Sequence, residues 1–240
     1  MSELIFSLLP LALGIVMSPL AIMALVAVLL SRRARINGIA YLAGWVVAVI
    51  VGLGVSYALL GLLEVHQRAA PPVWVPVLRL FISLLLGAAA WWTYRRGHVH
   101  TAEMAAANTP KQVTAAAPQL PGWLKSVETF TPVRSFLLGL GIFILNPVDL
   151  SCAVLAALDV RLASLDAGAS FWVLAVFGVV GILPIAIPVV LVLVRGDAAT
   201  PVLGRVRTWI ASHTSVLNAA LVLVIAALQL QKAVSTLLEY

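Results

Sequence analysis

The chain has 240 residues, of which 62% are hydrophobic and only 10% charged, with a net charge of +6 and mean hydropathy of +1.10. Soluble domains carry about 25% charged residues, so this composition excludes an ordinary water-soluble fold and points to a multi-pass membrane protein. The basic residues lie in loops between apolar runs, as the positive-inside rule expects, which argues against nucleic acid as a partner; the single cysteine, Cys152, excludes an internal disulfide.

The first apolar run, residues 4–30, lacks a basic leader and is too long for a signal peptide, so it is expected to be retained. Ser18-Pro19 interrupts it near its centre, where Pro19 frees the carbonyl of Ile15. A short basic loop, 31–35, precedes the second run, 38–63, which carries five glycines. Such small residues let helices approach closely in a bilayer. Residues 64–76 read as a loop, with Trp74 at the interface. The third run, 77–94, closes on Trp91, Trp92 and Tyr94, followed by Arg95 and Arg96. Arg79, near its outer end, reads as a snorkelling side chain.

Residues 101–121 have no period and read as a linker. Near 122–133, Trp123, Leu124, Val127 and Phe130 recur at helical spacing, which suits an amphipathic surface helix or a juxtamembrane lead-in. The fourth run extends from about Arg134 to Arg161 and holds Asn146-Pro147-Val148-Asp149 near its middle. A span of roughly 20 residues crosses the hydrocarbon, so these four should lie near the midplane. Proline there frees backbone groups that lipid cannot satisfy. A charged, unpaired Asp adds about 2.5–3.5 kcal/mol on insertion scales. Together they read as a broken helix lining a polar cavity. Asp159, about 15 Å further along by helix rise, reads as solvated at the outer interface. The fifth run, 169–194, contains Gly178, Gly181, Pro184 and Pro188 and is expected to be kinked or broken; residues 195–213 read as a loop, and 216–230 as the sixth span.

Placing the N-terminus outside puts 11 of the 15 basic residues in inner loops, so both termini are expected outside. Three spans, a long loop and three more invite comparison of the halves. Residues 13–19 and 140–147 share a Leu-Gly-Ile start and a proline end, each in the first span of its half. An odd number of spans per half makes the halves inverted. The expected organisation is therefore all-α: 1–94 as the first three-helix repeat, 95–133 as a cytoplasmic linker, and 134–240 as the second repeat. Matched proline-broken spans in inverted halves point to a transport site near the midplane.

An ordered set of residues carries a family resemblance over nearly the whole chain. It comprises Ser18-Pro19, Arg32-Arg33, Asn37-Gly38, Gly44-Trp45, Pro121-Gly122-Trp123-Leu124, Asn146-Pro147, and Pro184 with Pro188. The chain resembles the Gap/Sap group, the peptidoglycolipid- and sulfolipid-addressing proteins of the lysine exporter (LysE) superfamily. The resemblance implies two inverted three-helix repeats, a homodimer, and a role in addressing envelope lipids across a bacterial plasma membrane. Membrane lipids and lipid-export or lipid-synthesis proteins are the implied partners. The family often has Asn-Pro-Lys in the fourth span; here Val148 replaces the lysine, which puts a substrate contact through that position in doubt.

The candidate substrate site is Ser18, Pro19, Asn146, Pro147, Asp149 and Pro184. Half-helices beginning near Leu20 and Val148 present free N–H groups and positive dipole ends to an anionic head group, with Ser18 and Asn146 as donors. Burial favours the neutral form of Asp149. It could carry a proton, coupling export to the proton gradient, or it could cap the half-helix. Asn37, Ser56, Ser151, Asn218 and Gln229 are candidates for bridging helices. No His pair has metal-ligand spacing and no nucleophile–base set occurs, so neither a metal, another cofactor nor an enzyme is expected. The function expected is lipid export; a small-solute exporter for an amino acid or cation, or a scaffold of a larger lipid exporter, are the alternatives.

Overall fold

The computed structural model describes residues 2–29, 31, 33–63, 72–106 and 131–238. All regular structure among them is helical: α1 (Ser2–Val16), α2 (Pro19–Leu29), α3 (Ala34–Leu62), α4 (Trp74–Ala106), α5 (Pro132–Leu145), α6 (Pro147–Leu162), α7 (Ala167–Arg195) and α8 (Thr200–Leu238), with a 3-10 turn at Gly196–Ala199. The stretch near 122–130 lies outside the described residues; Pro132 and Val133 already belong to α5.

Among the described residues, five apolar segments are long enough to cross a membrane, α1 and α2 counting together as Glu3–Leu29. The α5–α6 pair makes a sixth if taken as one span bent by 67°. Large apolar side chains such as Ile50, Phe81, Trp172 and Val194 are exposed on the outside of the bundle, as a lipid-facing surface requires. The chain is a multi-pass membrane protein.

Several expected boundaries move. The third apolar run does not stop at Tyr94: its helix continues to Ala106, taking in the first residues of the expected linker. The expected loop 195–213 is only the short turn at Gly196–Ala199, after which α8 runs for 39 residues. In both places the helix leaves the apolar window, and water beyond it tolerates a polar helix that hydropathy does not mark. Trp74 opens α4 rather than lying in a loop, with Pro76 in the first turn, where its missing N–H has no intrahelical partner to lose.

Helix α3 sits at the centre of the packing, against α5, α6 and α7. Its crossing with α5 is set by glycine: a Cβ on Gly44 would overlap the carbonyl of Phe136, and one on Gly139 would overlap that of Tyr41. Beside this crossing the rings of Trp45 and Phe143 meet edge to face at 5.2 Å. Trp45 Nε1 donates to the carbonyl of Gly181 (3.1 Å), and the Tyr41 hydroxyl to that of Ala21 (2.8 Å). Trp45 is therefore a buried strut between α3 and α7, not an interfacial anchor. The other large contact is the long pairing of α4 with α8, where Ser83 Oγ donates to the carbonyl of Ala226 (2.8 Å).

Gly139→Ala should therefore separate α3 from α5, lowering stability by about 1–3 kcal/mol, the usual cost of overpacking. Gly54→Ala, placed in open space, should leave the melting temperature in detergent unchanged.

Candidate functional site

The two proline breaks meet. Helix α1 ends at Val16 and α2 begins at Pro19. The carbonyl of Ile15, which Pro19 cannot serve, accepts from the Ser18 N–H instead (3.1 Å). In the second break Asn146 has extended backbone (φ −82°, ψ 110°), and its side-chain oxygen accepts from the Val148 N–H (3.0 Å). Asn at the cap with Pro at the first helical position is a standard start signal for a helix.

Across the gap, Ser18 Oγ donates to Asp149 Oδ2 (3.0 Å), and Asn146 Nδ2 donates to both Ser18 Oγ (3.2 Å) and Asp149 Oδ2 (2.7 Å). Ser18 and Asp149 are buried. Asp149 Oδ1 has no hydrogen-bond partner among the described residues. Asp149 therefore does not cap α6; Asn146 does, and the carboxyl closes a bridge to the first break. Ser18 and Asn146, expected as donors to a ligand, are turned onto this carboxyl. One turn along, Gly14 packs so close to Cys152 that a Cβ there would lie 2.8 Å from its Sγ. Cys152 is a buried, packed residue.

Pro184 does not join this cluster by any described contact. It lies one turn beyond Gly181, which faces Ile15 and Trp45. Pro19 and Pro147 contribute by opening the two half-helices.

A second polar cluster corrects two expectations. Arg79 does not snorkel and Asp159 is not solvated: both are buried. Arg79 Nη2 pairs with Asp159 Oδ1, and Nη1 donates to Gln229 Oε1. Lys232 Nζ reaches Asp159 Oδ2 at 3.1 Å, with its own side chain 37% exposed. The cluster ties α4, α6 and α8 together. Hydropathy could not find it, since its members come from three separate spans. The hint available was the spacing of Asp149 and Asp159 on one helix, both in an apolar run. Arg161, nearby, donates twice to the carbonyl of Tyr57 and lies over its ring. No group of potential metal ligands occurs among the described residues.

The family model of Sap, the sulfolipid-1-addressing protein, matches residues 8–235. The chain belongs to this family. Both proline breaks and both polar clusters lie within the matched region, so the Sap-family match covers the whole site. No curated protein and no solved structure matches.

Removing one partner of a buried ion pair leaves an uncompensated charge. Arg79→Ala should therefore destabilise this Sap-family protein by about 3–5 kcal/mol. Lys232→Ala, which leaves Asp159 paired with Arg79, should lose no more than about 1 kcal/mol. Thermal unfolding of the purified protein in detergent compares the two.

Proposed function

We propose that this protein moves an anionic envelope lipid across a bacterial plasma membrane, with Asp149 carrying a proton that couples the step. The observation that carries this reading is the junction of two broken spans through Ser18, Asn146 and Asp149. Backbone breaks in the middle of a membrane protein are tolerated only where protein or a polar cavity satisfies them, and ionisable groups at such depth mark transport pathways or proton relays. The carboxyl suits a proton carrier, because Oδ2 holds two donors while Oδ1 is open to a proton. The Sap family's name associates it with a sulfolipid, an amphiphile whose head is anionic.

Two further points support the reading. The first spans of each half are both broken, and each packs against the second span of the other half: α3 against α5 and α6, α7 against α1 and α2. That exchange is what a two-fold axis between inverted three-helix repeats produces. The distribution of basic residues favours both termini outside; in that orientation the Arg79–Asp159–Lys232 cluster is at the external end and the bridge nearer the centre. A homodimer, and docking of lipid-synthesis partners, extend the same reading.

Asp149→Asn keeps the size of the side chain and one acceptor but cannot exchange a proton. In vesicles carrying a labelled anionic lipid, it should fold normally yet lose the dependence of translocation on a pH gradient, with the rate falling by about tenfold or more, as loss of a proton-transfer group does. Unchanged gradient-driven movement in this variant rules out Asp149 as the carrier. Basic amino acids offered in parallel test the small-solute alternative.

A further inference from the structure

A groove runs along the outside of the bundle between α1 and α8. Glu3, Phe6, Ser7, Pro10 and Leu11 line one wall, and Ile225, Leu228, Gln229 and Lys232 the other; its volume is about 310 Å³. That is the lower end of the range for small-molecule sites, which are mostly apolar with a few polar groups at one place. The polar groups here are not scattered. The helices are antiparallel, so Glu3 and Lys232 share one end of the groove. Leu11 and Ile225, both fully buried, close the other. Eight residues separate Glu3 from Leu11, roughly 12 Å of helix. Beyond the closed end, Ile225 also touches the Gly14 position, beside Cys152 and one turn short of Ser18.

Among the groups bonded to one another at the polar end, two cations face one carboxylate: Arg79 and Lys232 share that of Asp159. The Lys232 ammonium has three donors, and Asp159 takes one of them. Arg79 occupies Gln229 Oε1, which leaves the Gln229 NH₂ as a further donor. Glu3 is the opposing charge at the mouth. It is exposed, and it sits in the first turn of α1, where a carboxylate complements the helix dipole.

We infer that this groove binds one acyl chain of a membrane lipid whose sulfate or phosphate head is held by Lys232 and Gln229. The head supplies Lys232 with a second bonded anion, which Glu3, lining the same end but forming no ion pair with it, does not. The chain lies along Phe6, Pro10 and Leu228 and points toward the bilayer centre, the direction it has in a leaflet. This is a holding site distinct from the Ser18–Asn146–Asp149 bridge. It requires lipid binding but no translocation, so a protein that proved not to transport could still possess it.

The full-length protein in phosphatidylcholine nanodiscs is photolabelled with hexadecyl phosphate, hexadecyl sulfate or hexadecyltrimethylammonium, each with a diazirine in mid-chain, and the labelled peptides are mapped by mass spectrometry. Both anionic probes should concentrate on residues 3–11 and 225–232, and the cationic probe should label them about tenfold less. Lys232→Gln should weaken anionic labelling by about five- to tenfold, the usual worth of a charge-assisted hydrogen bond at a partly exposed site. Leu228→Trp, which fills the groove without touching the cations, should abolish labelling by all three. Equal labelling by anion and cation, labelling spread over exposed faces such as α7, or no change in both variants overturns the assignment. Unlabelled probes that fail to compete show contact with bulk lipid only, and overturn it as well.

Discussion

One side-chain amide holds two broken helices together. Asn146 caps α6 with its oxygen and reaches Ser18 and Asp149 with its nitrogen, so a single residue satisfies its own break and ties it to the remote one. Lipid supplies no donors or acceptors, and each proline break removes a backbone bond that must be replaced from within. The first break is served by a shifted backbone bond to Ile15, the second by the Asn146 cap. The carboxyl of Asp149 then joins them. The approach of α1 to α6 at Gly14 and Cys152 follows from this junction, because the two segments must come close enough for 3 Å bonds to form.

Helix α6, like α2, is among the most enclosed elements of the bundle. Ten of its sixteen residues are buried, among them Ser151, Cys152, Ala153, Ala156 and Ala157. Small side chains on every face let the neighbouring helices close around it. An aspartate near each end of such a helix would be prohibitive in isolation. Each is made tolerable differently: Asp149 by neutral hydrogen-bond donors, Asp159 by two cations and the low dielectric that strengthens their attraction. The chemistry at the two ends is thus unlike. One carboxyl has no compensating charge, and the other has more than it needs.

Much of this was legible in the sequence, because lipid leaves few options. The apolar runs mark the spans, and Pro19 and Pro147 locate breaks that the fold does bring together. Asn146-Pro147 also carries a helix-start signature, which assigns the cap to Asn146 once cap preference is weighed ahead of the charge on Asp149. Three features lay beyond reach. The pairing of Arg79 with Asp159 joins positions 80 residues apart, and a charged residue near a span end looks the same whether it snorkels or is paired. Nothing in the sequence around Trp45 distinguishes it from an interfacial tryptophan; only the carbonyl of Gly181 against its N–H does. The polar continuations of α4 and α8 follow from tertiary placement, which hydropathy does not encode.

The two aspartates of α6 are ten residues apart on one unbroken helix, roughly 15 Å at 1.5 Å per residue. A helix is stiff along its axis, so the two ends cannot be displaced independently. Any shift of the Asp149 end along the helix axis is therefore carried to the Arg79, Lys232 and Gln229 cluster, so one stiff rod links the bridge at one end to the ion pairs at the other.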